Sequence, residues 1–547
     1  MIRHLFVIAV LLLCVFTTNA QKPKIEKSVA FDEPEYGWNK LLQLKNGNTF
    51  FFHSGKKDGL EVTVFDKNRK RIASKEIISK LWDSEKMKRC LIKGLYEING
   101  QPVLFVIQAN ESQPGLYRMQ LNPVNAAIVK EEKMGNLPHA KATSTFARSF
   151  TVSDKSDIFI EKDPGSDNYA VICFNTSARD NDERIKVSHY DGSHKLISTA
   201  FLESPDGQFE NMEFIGAAVN GSKAVYIATY GYNKKADDPP SRVIISRLNG
   251  GDTAFLHKLL DFSTDLDETN SSMVFNSKDN KIQLLTVSYI KTKSKFFAEK
   301  STDYYGVLYS IINPGTLDLV SVKPVIGQKI TEYGARNFDA DYQFNGLPEN
   351  MILNNDNTTT LLFEEKHSVT SGGSSSHTSY YLGPVGIARM SNDGTEIKGY
   401  AINKSQSPKH NFPMFLMAQR AKGIFEFPHG VHLDGINDGF LSYDYVNAPH
   451  GHYVLFNDVA RNFDKDEDES KRTTIKGVSA TNTICFKLND DKIDKWYLFG
   501  EPDDKHDAIF SYIESSHYNK ETNCYATLIV ERSGRDKECK IAWITFE

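Results

Sequence analysis

The sequence predicts an all-β chain folded as a β-propeller, most simply of eight blades, and three observations lead there. The first is a recurring turn: Asp66-Lys67-Asn68, Asn122-Pro123, Asp191-Gly192, Asn249-Gly250-Gly251, Asn313-Pro314-Gly315, Ser391-Asn392-Asp393-Gly394 and Asn489-Asp490-Asp491. Asn, Asp, Gly and Pro supply the positive or preset φ that tight hairpins demand. The second is what flanks these turns: short alternating strands such as Glu61 to Phe65, Val243 to Leu248 and Ile484 to Leu488. Recurrence at uneven steps of roughly 55 to 100 residues suits blades better than one sandwich. The third is that the two ends complement each other. Ala508 to Glu514, Cys524 to Glu531 and Lys540 to Phe546 read as three strands of a last blade without a fourth, and Ile25 to Phe31 is an alternating strand without a meander. Pairing Ile25 to Phe31 beside Lys540 to Phe546 closes the ring and leaves no open edge.

Within the ring, the first complete blade is the clearest. Trp38 to Leu44, Thr49 to His53, Leu60 to Phe65 and Arg71 to Ile78 are its four strands, separated by turns at Asn46-Gly47-Asn48, Lys56 to Gly59 and Asp66. Val103 to Ile107, Ala224 to Ala228 and Gln283 to Val287 are continuous apolar runs, the pattern of strands covered on both faces. Seven turns between third and fourth strands plus the composite blade make eight. Merging two weak units gives seven, and the long step from Gly394 to Asn489 leaves room for an insertion or a degenerate ninth unit. Two stacked β-sandwich domains are the competing fold. Helices are expected only at Ile77 to Lys88 and Phe415 to Ala421, as excursions between blades.

Residues 1–20 have a basic start at Arg3 and His4, an apolar run from Leu5 to Phe16, and a small-residue exit at Thr18-Asn19-Ala20. That pattern predicts a secretory signal cleaved after Ala20, leaving residues 21–547 as a single propeller domain. The apolar run is too short to span a bilayer. Cys14 lies inside the run rather than after a small residue at its end, which excludes lipidation. No later stretch is apolar enough for a membrane span. The mature chain is therefore expected in the periplasm, on the cell surface or outside the cell.

Five cysteines remain after cleavage, an odd and sparse number, so the core rather than a disulfide framework must hold the fold. Cys173 and Cys485 read as core residues, and Cys524 and Cys539 fall on adjacent strands out of register. The formal charge of −5 becomes −6 on loss of Arg3. Mild acidity without a basic stripe argues against nucleic acid. Aromatics at 11% suit strand packing.

The densest polar cluster is Pro428-His429-Gly430-Val431-His432-Leu433-Asp434, followed by Asp438, Asp444 and Pro449-His450-Gly451-His452. His429, His432, His450 and His452 with Asp434 have the side chains for a ligand site or, less strongly, a zinc or manganese site. They are expected near one another beside a seventh blade. No metallohydrolase pattern accompanies them, and Gly and Pro around them fit turn chemistry as well. Asp464 to Glu469 alternates carboxylates, but Glu469 stands where an EF-hand needs glycine and Ile475 where it needs a bidentate glutamate. A solvated acidic loop is the simpler reading. Ser371 to Ser379 is a flexible loop by composition without a nucleophile elbow, and no phosphate-cradling loop is present. No catalytic residue and no cofactor are predicted.

Val454 to Asp458 is a strand that leaves through Asn457-Asp458, whose side chains suit capping of the next turn. With this pair, the signal, the length and the repeated strand-turn pattern, the chain resembles uncharacterised exported propeller-like proteins of bacteria. The resemblance implies a fold and a location and transfers no site residues. The function expected is a ligand-binding or protein-interaction module at the cell envelope, its partner an envelope or extracellular protein or a glycan. The alternative is a secreted hydrolase of carbohydrate or peptide, for which no carboxylate pair of defined separation can be named. A structural part of a secretion or gliding apparatus is not separable from the first reading by sequence.

Overall fold

The computed structural model describes residues 23–546 apart from 35–36, 56–58, 85–86, 88–89, 109–113, 137–156, 176–182, 234–238, 263–266, 291–303, 372–376, 426–437, 464–471, 479, 490–491, 503–506 and 535. The strands form eight four-stranded antiparallel sheets, each a meander, so the protein is an eight-bladed β-propeller. Blade one comprises β2 (Gly37–Gln43), β3 (Thr49–Gly55), β4 (Leu60–Phe65) and β5 (Arg71–Ile77). The innermost strands of blades two to seven are β6 (Cys90–Ile98), β10 (Asp157–Lys162), β14 (Asn211–Asn220), β18 (Asp267–Asn276), β22 (Leu347–Leu353) and β26 (Asp444–Ala448).

All seven predicted turns join a third strand to a fourth. Their chemistry is local. The Asp66 carboxylate accepts the amides of Asn68 and Lys70, both at 2.9 Å, and Asp191 does the same for Ser193 and Lys195. A side chain that hydrogen-bonds its own backbone two residues on specifies the reversal without help from the rest of the fold. The apolar runs around Val103, Ala224 and Gln283 are second strands, flanked by strands on both sides and packed between neighbouring blades.

The eighth blade closes the ring as expected. Its strands β30 (Ala508–Asn519), β31 (Cys524–Ser533) and β32 (Asp536–Thr545) are completed by β1 (Lys24–Lys27), with Ile25 opposite Ile544 and Lys27 opposite Ala542. The predicted N-terminal strand is interrupted after Ser28, Val29 faces solvent, and the chain rejoins the sheet where Phe31 pairs with Cys539. The seam to blade one is polar as well as apolar. Buried Trp543 donates from Nε1 to Thr49 Oγ1 at 2.9 Å, and Gln43 Nε2 donates to the carbonyls of His517 and Cys524, each at 2.8 Å. Cys524 stands opposite Thr545 and Cys539 opposite Val530, which keeps these thiols free.

The helix expectation needs correction. Among the described residues Ile77 to Lys88 holds no α-helix; Ser79 Oγ accepts the amides of Leu81 and Trp82 in a tight turn that buries the Trp82 ring. A serine hydroxyl bonded to nearby amides competes with helical pairing. The second expected helix is α2 (Leu416–Ala421), and α1 (Gln328–Asn337) was not foreseen. α1 packs Ile330 and Tyr333 on the outermost strand of blade six, β25 (Glu396–Ile402), where Gly399 permits the approach: a Cβ there would stand 2.3 Å from the Ile330 nitrogen. The long step from Gly394 to Asn489 holds excursions rather than a ninth sheet.

Candidate functional site

In each meander the turns from first to second and third to fourth strand share one end of the ring, here called the turn face. The connections from second to third strand and from blade to blade share the other, the loop face. Blades six and seven carry three excursions on the loop face. One is the hairpin of β23 (Thr359–Ser371) and β24 (His377–Met390), which runs on past its last pairing with β22 at Glu364. The others are residues 403–443 and 460–480, the latter following β27 (Gly451–Val459). Leu382 and Gln406 exchange backbone hydrogen bonds at 2.9 and 3.0 Å, and Ile475 bonds Ser405 and Ser407. Leu382, Phe440, Leu441 and Ile475 form an apolar cluster of their own. The three excursions thus make one cap.

Beneath the cap lies a buried ionic network. Glu349 is the extra residue of a bulge in β22, so its carboxylate is aimed out of the regular alternation. It pairs with Lys366, whose Nζ also donates to the Pro413 carbonyl at 2.7 Å, and it accepts the Met417 amide at 3.3 Å. Glu364 pairs with Lys404 at 2.8 Å and accepts the Ser442 hydroxyl at 3.0 Å; the side chains of Glu364 and Lys404 are fully buried. Burial pushes Glu349 up to about 7 against the pull of Lys366, and burial lowers Lys404 despite Glu364. Every outside partner in this network belongs to residues 403–443, so the charges tie the middle excursion to blade six.

Asn457 and Asp458 do related work. Asn457 donates to the carbonyls of Phe440 and Ser511 at 2.8 and 2.7 Å and accepts from Thr483 Oγ1. It joins blade seven to blade eight and to the cap. Asp458 accepts the Val459 amide and Asn462 Nδ2 and pairs with Arg472 at 2.5 Å, capping the turn as expected and anchoring the third excursion.

The middle excursion also enters the ring. α2 lies between β22 and β30, and the chain after it reaches blade two. Ile92 and Phe425 exchange backbone hydrogen bonds at 3.0 and 2.9 Å, and the Leu95 amide donates to the Lys422 carbonyl at 2.9 Å. Lys422 Nζ meets Glu161 of β10 at 2.5 Å, and the Phe425 ring stands 6.4 Å from that of Trp38. Blades one, two, three, six and eight are therefore bridged across the axis. Nearby, burial lowers Lys40 to about 8, with Asp444 and Glu514 opposing; its Nζ donates to the Ser516 carbonyl at 2.6 Å.

Of the histidine cluster, His429, His432 and Asp434 lie outside the described residues. His450 is exposed in the β26–β27 turn on the turn face, and His452 sits in β27 with Nδ1 2.9 Å from the Tyr445 hydroxyl and the two rings stacked. Burial lowers the His452 pKa. Asp438 and Asp444, where the chain returns to the ring, mark the opposite end of β26. Among the described residues no three His, Cys, Asp or Glu side chains gather as a metal site would require. Residues 464–469 also lie outside the description, as does the tip of the Ser371 to Ser379 hairpin. The buried lysines and glutamates were missed because the pairs join residues distant in sequence, Glu349 with Lys366 and Glu364 with Lys404; a lone charge in a largely apolar strand, as at Glu349 in β22, was the available signal.

The architecture is that of an eight-bladed propeller whose axis is crossed by a segment of its own chain. No protein-family model matches the chain, and no curated protein matches it. Among solved structures it is similar to an uncharacterised protein of Listeria monocytogenes EGD-e, at 10% identity and a TM-score of 0.31 over 68% of this chain and 85% of that one. It is similar also to prolyl oligopeptidase B of Galerina marginata, at 7% identity and a TM-score of 0.40 over 94% of this chain, and to a prolyl endopeptidase at 8% identity and 0.36 over 91%. The chain spans 56% and 55% of those two peptidases. Likenesses at this level carry nothing about activity. No helix among the described residues is long and apolar enough to cross a membrane.

Proposed function

We propose that this chain is an exported ligand-binding or protein-interaction module of the cell envelope that engages its partner through the cap over blades six and seven. The observation that supports this is the asymmetry of the ring. The described turns of the turn face are short, whereas three long excursions rise from one sector of the loop face and are welded together by Gln406. Loops on a rigid scaffold are where recognition is placed. The hydrolase alternative draws no support from the buried carboxylates, since Glu349 and Glu364 are each paired with a lysine and shielded from solvent. The decisive experiment compares capture from envelope extracts by the wild-type chain and by a variant in which residues 367–381 are replaced with a two-residue turn, beside a panel of glycan, ester and peptide substrates. Species held by the wild type and lost with the hairpin are expected. Hydrolysis abolished by changing one carboxylate or histidine would overturn the proposal.

A further inference from the structure

The outermost strand of each blade has one edge without a partner strand, and an unpaired edge is a template for another chain. Native proteins blunt such edges with charge, lysine above all, or with proline. Seven of the eight outermost strands in this ring follow that rule. β5 carries Lys75, β9 (Ile128–Asn136) carries Lys130 and Lys133, and β17 (Leu256–Leu260) carries Lys258. β29 (Ile493–Tyr497) carries Lys495, and β1 carries Lys24 and Lys27. β21 (Leu319–Pro324) ends in Lys323-Pro324, and β25 carries Lys398 and is packed by α1. The exception is β13 (Leu196–Phe201) of blade three, Leu-Ile-Ser-Thr-Ala-Phe, in which no residue is charged.

On one side β13 pairs with β12 (Ile185–Tyr190), and among the described residues no backbone hydrogen bond reaches its other side. Its ends are apolar and open to water, Leu196 at 45% and Phe201 at 37% exposure. Just outside them stand Lys195 and Glu203, both exposed and, among the described residues, without an ion-pair partner. The bare edge is therefore bracketed by one positive and one negative side chain.

We propose that β13 pairs antiparallel with β13 of a second copy of this chain, forming a two-fold dimer through the rim of blade three. The charges identify the occupant. Turned end for end, the segment complements itself: in the register centred on Thr199, Lys195 of each chain stands opposite Glu203 of the other, and Thr199 stands opposite its own equivalent. Opposite charges and threonine pairs are cross-strand contacts that stabilise antiparallel pairing, and an isologous contact answers both ends at once. The sheets of the two copies become one continuous sheet, and the last unguarded edge of the ring is covered. This goes beyond the cap reading and does not depend on it, since the cap rises over blades six and seven.

The test is sedimentation velocity of the full chain, with Lys195→Glu, Glu203→Lys and the exchange Lys195→Glu/Glu203→Lys beside the wild type. A strand edge this short makes a small interface, so a wild-type dimer that assembles over roughly 10–100 μM is expected. Either single reversal sets like charges opposite each other at both ends and should raise the dissociation constant at least about tenfold. The exchange rebuilds both pairs with their signs inverted and should return the constant to the wild-type range. Both residues are exposed and lie outside the strand, so the variants keep the fold. Hydrogen exchange gives a second reading without any variant: amides of Leu196–Phe201 should gain protection as concentration rises, while those of β17 and β29 do not. A wild type that stays monomeric to about 100 μM overturns the inference. So does a dimer that is indifferent to either reversal, is not rescued by the exchange, or leaves the β13 amides unprotected.

Discussion

Lys422, from the connection after blade six, and Glu161, on the innermost strand of blade three, meet at 2.5 Å across the middle of the ring. Burial raises the Glu161 pKa, with Lys422 as the opposing influence. The pair gives the propeller a second closure. The first runs around the circumference, through β1 and β32; the second runs across the axis.

Removal of residues 21–31 should therefore weaken the ring without opening it fully. The edge of β32 at Cys539, Ile541 and Trp543 would lose its neighbour, and an unpaired edge invites association. A lower melting temperature and concentration-dependent oligomers in light scattering are expected. Unchanged melting of a monomer would contradict the closure.

The buried charges should be far costlier to halve than to remove. Lys404→Met leaves Glu364 buried beside Lys366 at 4.0 Å and without its close partner, at a cost of about 3–5 kcal/mol. Lys404→Met/Glu364→Gln should recover most of that loss. Urea denaturation of the two variants measures the difference, and additive losses would show that the pair is not coupled.

Glu349 should make stability depend on pH. Its folded value of about 7 lies above the ordinary 4.5, so the folded chain holds a proton that the unfolded chain has released. The stabilising contribution is complete below about 4.5 and is lost as pH rises through 7. Chemical denaturation between pH 5 and 8 should show this fall in the wild type and a shallower one in Glu349→Gln. Equal slopes would assign the proton elsewhere.

Asn457→Leu should damage the fold rather than binding directly. It leaves the carbonyls of Phe440 and Ser511 and the Thr483 hydroxyl without that partner, and unsatisfied buried groups cost about 1–3 kcal/mol each. A clear drop in denaturation midpoint is expected. Full stability with lost capture would instead make Asn457 a contact residue.

For the histidines, metal analysis of unsupplemented protein should find well under one zinc or manganese per chain, with no change on chelation. Stoichiometric metal lost in His429→Ala/His432→Ala would establish the site that these residue types suggest.

The ring and its closure were legible in the sequence for physical reasons. Asp66 and Asp191 bond their own backbone, so their turns are visible in a few residues. Period-two alternation and an unmatched strand at each end disclose the pairing of Ile25 with Ile544. Helix α1 escaped notice because its apolar stripe is only Ile330 and Tyr333 on a polar segment, and its stability comes from packing on β25 around Gly399.

The sequence by itself thus determined a propeller of eight blades with its last blade shared by both ends, because turn chemistry and strand alternation act over a handful of neighbouring residues. Only the tertiary structure decided that Glu349 and Glu364 are locked to lysines, that Asn457 joins two blades to the cap, and that Phe425 lies along Ile92 in the axis. Those relations join residues far apart in the chain, and they are set by where bulges and excursions bring charge and free backbone edges together.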